Sequence, residues 1–472
     1  MRFDFQILDR TEVEQIHEAS LQVVSEVGMI LRDERLCRYL QGEGFLVDEI
    51  RGLVRFPREV VEQALAAAPR EVSLWSHHGD ELPLKNGYLH PATYSHALHV
   101  LDYNASVPRS STRADLVRFV RLGDALPEVH IVGPVCWVHD MPEAIQALHS
   151  AAVTMANSAK HTTVAPQSLT EAEIWTDLVA IADRNLDSYP GSTVSFVVSS
   201  TSPLQLDANT AQVLHYGAGR GIPLILSPCP IAGASSPFTI AGTLVQSNAE
   251  NLWLLTLAQL IREGTPVILG GAAGPMDMRS GNLSYGCPER HLMLGANIEL
   301  ARFYGLPHNC PAGSVDSGLP DVQSGAEKML TWIMRLLGGI TLGIGLGSLL
   351  TGSTVSLEQM VIDADLLNCA RRVLRGFQVD EKTMAEDAIA RVGPGGDFLL
   401  DEHTLRWMRS DEYYLSPLAN RQGPSGHTML ERAHQRVEEL LDNYTPSVSQ
   451  EVVAEIEAYV RERENAERKI TH

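Results

Sequence analysis

Short apolar runs recur along the middle of the chain, each closing on small or polar residues and each followed by a stretch of helical periodicity. The run 131–135 gives way to Cys136-Trp137-Val138-His139-Asp140, and 193–198 to Ser199-Ser200-Thr201-Ser202. The run 224–226 leads into Ser227-Pro228-Cys229-Pro230, and 267–269 into Gly270-Gly271-Ala272-Ala273-Gly274. Runs this short, bounded by turn formers, suit strands covered on both faces. Strand, loop and helix in repetition predict a parallel sheet whose strand ends present polar loops on one face, where such folds keep their chemistry.

The pattern places strands at 129–136, 161–165, 193–200, 223–228, 266–271, 308–312 and 340–347. Helices fall at 142–157, 170–185, 207–220, 240–263, 288–304, 321–337 and 356–376. The expected fold class is α/β, a (β/α)8 TIM-type barrel whose eighth strand is sought in the region 94–103. An open doubly wound sheet is the competing arrangement. No G-x-G-x-x-G follows the first strand, and Gly343-Ile344-Gly345-Leu346-Gly347 has the wrong spacing for a dinucleotide turn, which favours the barrel.

The flanks lack this rhythm. Residues 10–43 read as two amphipathic helices, with Thr11 and Glu14 as a capping box. A short strand at 54–57, a helix at 58–68, a strand at 72–76 and a hairpin around Asp102-Tyr103-Asn104-Ala105 follow. Residues 1–110 are therefore read as an α+β N-terminal cap, 111–378 as the barrel, and 379–472 as a helical C-terminal extension. Within that extension 437–467 reads as a solvated pair of terminal helices.

Composition narrows the function. A net charge of -21 argues against nucleic acid, which needs clustered Lys and Arg, and would suit a cationic ligand. The six cysteines are scattered without a C-x-x-C pair, the usage of a reduced, cytoplasmic protein. The charged start Met1-Arg2-Phe3-Asp4-Phe5 is not a secretory signal. The uncharged stretch Leu336 to Leu357 is broken by Gly338, Gly339, Gly343, Gly345, Gly347 and Gly352, so a strand with a glycine-rich loop fits better than a membrane span.

The usual catalytic signatures are absent: no H-E-x-x-H, no Walker sequence, no G-x-S-x-G, no zinc-type cysteine spacing. More telling are the residues at expected strand ends, namely Tyr94 and His96, Trp137, His139 and Asp140, Lys160 and His161, Tyr285 and Glu289, and Asp316 and Asp321. Singly each is more often structural. Together they would line one rim with aromatic faces and a few carboxylates, which suits a methylated ammonium ion. His96 or Arg279 would then serve an anionic group on the same ligand. Around Asp397 and His403, the turn 393–404 contains Pro394-Gly395-Gly396, which predicts a tight loop at positive φ, either a lid on the barrel or a site or partner contact.

The sequence resembles the trimethylamine methyltransferase family, in its branch without pyrrolysine, over nearly its whole length. The likeness is carried by Ile16-His17-Glu18-Ala19-Ser20, Asp124-Ala125-Leu126-Pro127, Ser227-Pro228-Cys229-Pro230-Ile231-Ala232-Gly233-Ala234 and Gly242-Thr243-Leu244-Val245-Gln246-Ser247-Asn248-Ala249-Glu250. Tyr304-Gly305-Leu306-Pro307, Asp316-Ser317 with Asp321-Val322-Gln323, and the 393–404 turn complete it. The resemblance implies a barrel that moves a methyl group from an N-methylated amine to the cobalt(I) of a separate corrinoid protein. Pyrrolysine-free members are associated with quaternary amines such as glycine betaine, proline betaine or carnitine.

A quaternary ammonium leaves as a neutral tertiary amine and needs no proton donor. The protein's task is then to bind, orient and desolvate the cation, with no side-chain nucleophile. Tyr94, Trp137 and Tyr285 are expected to hold the cation, His96 and Arg279 a substrate carboxylate, and Asp316 and Gln323 the pocket rim. No D-x-H-x-x-G cobalamin sequence occurs, since Asp401-Glu402-His403 runs on as Thr404-Leu405-Arg406, so the corrinoid is expected in trans on a partner protein. The chain is expected to be homo-oligomeric. A non-catalytic betaine sensor on the same barrel is the alternative function, because the chemistry demands no diagnostic side chain.

Overall fold

The computed structural model describes residues 5–48, 50–85, 88–183 and 191–471. Thr162–Val164, Val194–Val198, Leu224–Leu226 and Val267–Leu269 lie side by side in that order, all parallel. Single parallel bridges extend the series, from Leu269 to His308 at one edge and from His161 to Ile131 at the other. Asn309–Pro311 then pairs with Leu342–Leu346, which pairs with His90–Thr93, and Ala92 bridges back to Ile131. Ile131 thus touches both ends of the series.

The expected strand 129–136 is reduced to bridges at Ile131 and Cys136, with Gly133 and Pro134 between them. The further strand is His90–Thr93 rather than part of 94–103. Its sequence His-Pro-Ala-Thr carries no apolar run, yet all four residues are buried, and the Pro91 carbonyl accepts from the amides of His130 and Ile131 at 2.9 and 3.3 Å. Within 94–103, His99–Val100 instead pairs with Thr354–Val355 and with Arg109–Ser110, the latter enclosing the expected 102–105 turn.

Helices return the chain between strands. Those at Glu143–Asn157, Leu169–Ala182, Ala208–Arg220, Ile240–Ile261, Pro288–Tyr304, Val322–Leu337 and Leu357–Arg375 match the expected spans within a few residues. Ser168, Asp207, Thr239, Asp321 and Ser356 cap five of them by accepting from the backbone of the first turn. One face of the strands packs on these helices. The other gathers Ala92, Ile131, Ile225, Ile268 and Leu342 into a separate core cluster with Val72, Leu74 and Leu84. Those last residues belong to or adjoin the hairpin Ser73–Trp75 and Glu81–Pro83. The hairpin sits at the strand amino ends, where Trp75 and Pro83 carbonyls meet His161 Nδ1 and His90 Nε2, each at 3.0 Å.

Two flank expectations change. The first helix, Arg10–Gln22, is capped by Asp9 with Glu12, not by Thr11 with Glu14. The terminal helices Met429–Asp442 and Gln450–Thr471 are docked, not solvated. Ala433, Val437 and Ile456 are buried, and Asp177 accepts from Tyr459 Oη at 2.7 Å and from Arg463 at 2.8 Å. Among the described residues no helix is long and apolar enough to cross a membrane.

Candidate functional site at the strand carboxyl ends

A cavity of about 360 Å³ opens where the parallel strands end, bounded by 92–96, Gly133, Ala165, Ser227, Ala272, Tyr285, Asn309 and Ser314. Apart from Tyr285, which arrives on the long loop between Val267–Leu269 and the helix Pro288–Tyr304, these residues lie in or just past the parallel segments, so the repeat itself brings them together. Tyr94 and Tyr285 are its aromatic walls. Gly352, at φ 83°, lets the Tyr94 hydroxyl approach its backbone, since a Cβ there would collide with that oxygen. Burial raises the pKa of both phenols, which keeps them neutral. No Asp or Glu lines the cavity among the described residues, and no group of three His, Cys, Asp or Glu there could hold a metal ion.

Of the seven residues singled out from the sequence, Tyr94, His96 and Tyr285 line this cavity. Trp137 stands behind them, its ring tilted against His96 at 5.0 Å. His96 has φ 62° and shares a 2.8 Å hydrogen bond between Nδ1 and Ser95 Oγ. Burial pulls its pKa down to about 4, so at neutral pH it presents an uncharged imidazole to the cavity. Asp316 acts on the loop that carries Tyr285: its carboxylate accepts from Ser284 Oγ at 2.8 Å and from the amides of Tyr285 and Gly286 at 2.5 and 3.0 Å. Gln323 is exposed and donates to Glu327 at 2.7 Å, while Glu327 accepts from the Asp316 amide at 2.8 Å.

Arg279 is not brought to the cavity. Asp277 accepts from its amide and from Ser280 Oγ, a local turn that leaves Arg279 exposed. Several other strand-end candidates are structural. His161 lies at a strand amino end, completely buried against Trp75 and Ser195. Lys160 donates to the carbonyls of Gly123 and Leu126. Asp140 accepts from the Arg113 amide at 2.7 Å, at the start of the helix Arg113–Ala125, and Asp321 caps its own helix.

A Trimethylamine methyltransferase (MTTB) family model matches residues 2–467. The chain belongs to that family. It is 31% identical to a glycine betaine methyltransferase of Desulfitobacterium hafniense (strain Y51), covering 97% of both chains. It is 28% identical to a trimethylamine methyltransferase of the same species (strain DSM 10664 / DCB-2), covering 96% of this chain and 93% of the relative. Among solved structures, the monomethylamine methyltransferase of Methanosarcina barkeri superposes with a TM-score of 0.51 at 13% identity, over 93% of this chain and 90% of that one. At that identity the likeness is one of fold.

Within this trimethylamine methyltransferase family member, the strongest electrostatic feature near the cavity is one that strand-end reasoning missed. The Arg290 guanidinium lies over the Tyr285 ring at 4.0 Å and is 1% exposed. Its Nη1 reaches only the Tyr285 carbonyl at 3.4 Å, and its Nε and Nη2 have no partner. Arg335, fully buried, meets only His291 and the Pro311 carbonyl, at 3.3 to 3.4 Å. Neither arginine forms an ion pair among the described residues. Buried cations are normally matched by an anion, because the low dielectric makes an isolated charge expensive. Asn309, on the cavity wall, likewise leaves Oδ1 unpartnered. In sequence, Arg290 reads as an ordinary exposed residue of a helix first turn, and nothing there marks its burial.

Proposed function

We propose that this enzyme transfers a methyl group from a zwitterionic quaternary amine, glycine betaine or a similar betaine, to the cobalt(I) of a corrinoid protein. The observation that carries the choice of substrate is the pairing of tyrosine walls with a buried, anion-free arginine behind one of them. Tyrosine faces attract a methylated ammonium. Arg290, behind the Tyr285 ring, draws a carboxylate, so a zwitterion is favoured over a simple cation. The 31% identity to a glycine betaine methyltransferase supports the same class.

The cavity volume of about 360 Å³ admits a small ligand and not a corrin macrocycle, so the corrinoid stays outside it on its partner. That cofactor supplies the cobalt nucleophile. The residues of this chain bind the cation on Tyr94 and Tyr285, exclude water, and fix the amine so that one methyl faces the open end. Asp316 holds the Tyr285 loop in place through three hydrogen bonds. His96, backed by Trp137, supplies a neutral polar contact. No proton is moved, because the departing tertiary amine carries none. The rim of strand-end loops is then the surface the corrinoid protein meets.

We further read the series of parallel segments as a closed (β/α)8 barrel, supported by Ile131 bridging to both Ala92 and His161. The cap 1–110, barrel 111–378 and extension 379–472 are kept as domains, with His90–Thr93 ceded to the barrel. The six free cysteines fit a reducing compartment, and we place the enzyme in the cytoplasm. The test follows cobalt(I) absorbance when the chain is mixed with reduced cobalamin, or a corrinoid protein, and a panel of betaines. Conversion to methylcobalt(III) with one betaine, and none with choline, is expected. Binding of a betaine with no conversion by any corrinoid would replace the enzyme with a sensor.

A further inference from the structure

Lys328, on the helix Val322–Leu337, and Asp363, on Leu357–Arg375, form an ion pair at 2.7 Å with both side chains 0% exposed. Neither lines the cavity, and the proposed reaction uses neither. In the sequence both pass as ordinary polar positions of two helices. A sealed pair of this kind is a poor source of stability. Desolvating two charges costs about as much as their attraction returns, and apolar side chains of similar volume commonly do as well. Its use has to lie in what else the two groups hold.

What they hold is backbone. Lys328 Nζ also donates to the Gly313 carbonyl at 2.7 Å, and the Asp363 oxygen that receives Lys328 accepts from the Gly347 amide at 2.8 Å. The other Asp363 oxygen accepts from Gln359 Nε2 at 2.8 Å, which fixes the carboxylate on its own helix. Ser348 Oγ bridges the same two segments, 3.0 Å from the carbonyls of Gly313 and Gly345. Gly313 and Gly347 stand just past the adjacent parallel strands Asn309–Pro311 and Leu342–Leu346. One ion pair thus clamps two neighbouring loops at the strand carboxyl ends.

Each clamped loop leads to one aromatic wall. From Gly313 the chain runs through Ser314, in the cavity wall, to Asp316, whose carboxylate holds Ser284, Gly286 and the Tyr285 between them. From Gly347 it runs to Gly352, which faces the Tyr94 hydroxyl. The Tyr94 amide donates to the Leu346 carbonyl at 3.0 Å. The two loops are also laced to each other, since the amides of Leu350 and Thr351 donate to the carbonyls of Ser317 and Val315, both at 2.7 Å. We propose that Lys328 and Asp363 are positioning residues, a buried clamp that sets the spacing of Tyr94 and Tyr285 across the cavity. The clamp acts on the backbone whatever the cavity binds, and its effect on betaine affinity rests on the function proposed above.

The test compares two double variants of the full chain by hydrogen exchange and by calorimetric titration with glycine betaine. Lys328→Met with Asp363→Leu removes both charges together, so no lone buried charge is left to unfold the chain. Exchange should quicken selectively at 284–286, 313–317 and 347–352 while the parallel strands stay protected, and glycine betaine should bind about tenfold more weakly. Lys328→Gln with Asp363→Asn keeps a donor for the Gly313 carbonyl and an acceptor for the Gly347 amide without either charge. It should restore slow exchange and most of the affinity. Exchange unchanged in the Met/Leu variant, or quickened equally in every strand, would overturn the clamp, as would failure of the Gln/Asn variant to slow it again. Selective quickening that the Gln/Asn variant reverses, with betaine affinity unchanged throughout, would uphold the clamp and remove the betaine from this cavity.

Discussion

At the scale of single residues, the site is a set of groups whose charge is set by burial. Tyr94, Tyr285 and His96 are all held neutral, while Arg290 lies buried over the Tyr285 ring with no ion pair among the described residues. Replacing it by a neutral side chain of similar length isolates that charge. Arg290→Met should weaken binding of glycine betaine by about 10- to 100-fold, the span of one charged hydrogen bond or its equivalent. The same change should leave choline binding unaltered or tighter, because choline has the ammonium without the carboxylate. Calorimetric titration with both ligands reads this directly, and equal losses for the two would remove Arg290 from substrate selection. The contrast with the sequence is instructive here. That Tyr94 and Tyr285 line the cavity was legible, because both fall in loops that follow expected strands. Arg290 and Asn309 were not, since what distinguishes them is an unmet partner, a property of the packed interior.

At the scale of elements, the repeat of apolar run and helical stretch was legible almost throughout, because hydrophobic periodicity reports burial directly. What escaped were segments whose role depends on a neighbour. His90–Thr93 holds its place by pairing on both edges rather than by apolar content, and the terminal helices carry only a few apolar positions each toward the body. The glycines of 343–347 show the opposite case, where composition marked a strand with a glycine-rich loop without saying what the glycines meet. Gly345 sits at φ 148° at a shift of register between Ile344 and Leu346, and a Cβ on it would meet the Gly313 amide nitrogen at 2.7 Å. Gly345→Ala therefore combines backbone strain with a clash against backbone that cannot move aside. The expected cost is about 3 kcal/mol, read as a lower urea midpoint at unchanged slope. Ser314 and Ile344 line the cavity on either side of this contact. Substrate affinity should consequently fall in the same variant, even under conditions where it remains folded.

At the scale of the whole molecule, burial of histidine makes stability depend on pH on the acid side of neutrality. Burial lowers His96, His130 and His308 to about 4, and His161 and His291 to about 3. In the unfolded chain these imidazoles titrate near 6.5. Between that value and their folded values the unfolded state binds more protons, so protons favour unfolding. Their stabilising contribution is thus complete above about pH 6.5 and is lost as pH falls toward 4. Each imidazole can add up to about 1.4 kcal/mol per pH unit to the slope. Carboxylates held low by arginine, such as Asp115 beside Arg109, act in the same direction but only below the ordinary carboxylate range, so they leave the window from pH 6.5 to 5 to the histidines. The melting temperature should be flat from pH 8 to 7 and fall steadily from about 6.5 to 5. His308→Gln, which removes one titrating ring, should shallow that fall even if it lowers the starting value. A melting temperature unchanged between pH 7 and 5 would mean that these imidazoles take up protons in the folded state as readily as in the unfolded chain, so that their burial contributes nothing to the pH dependence.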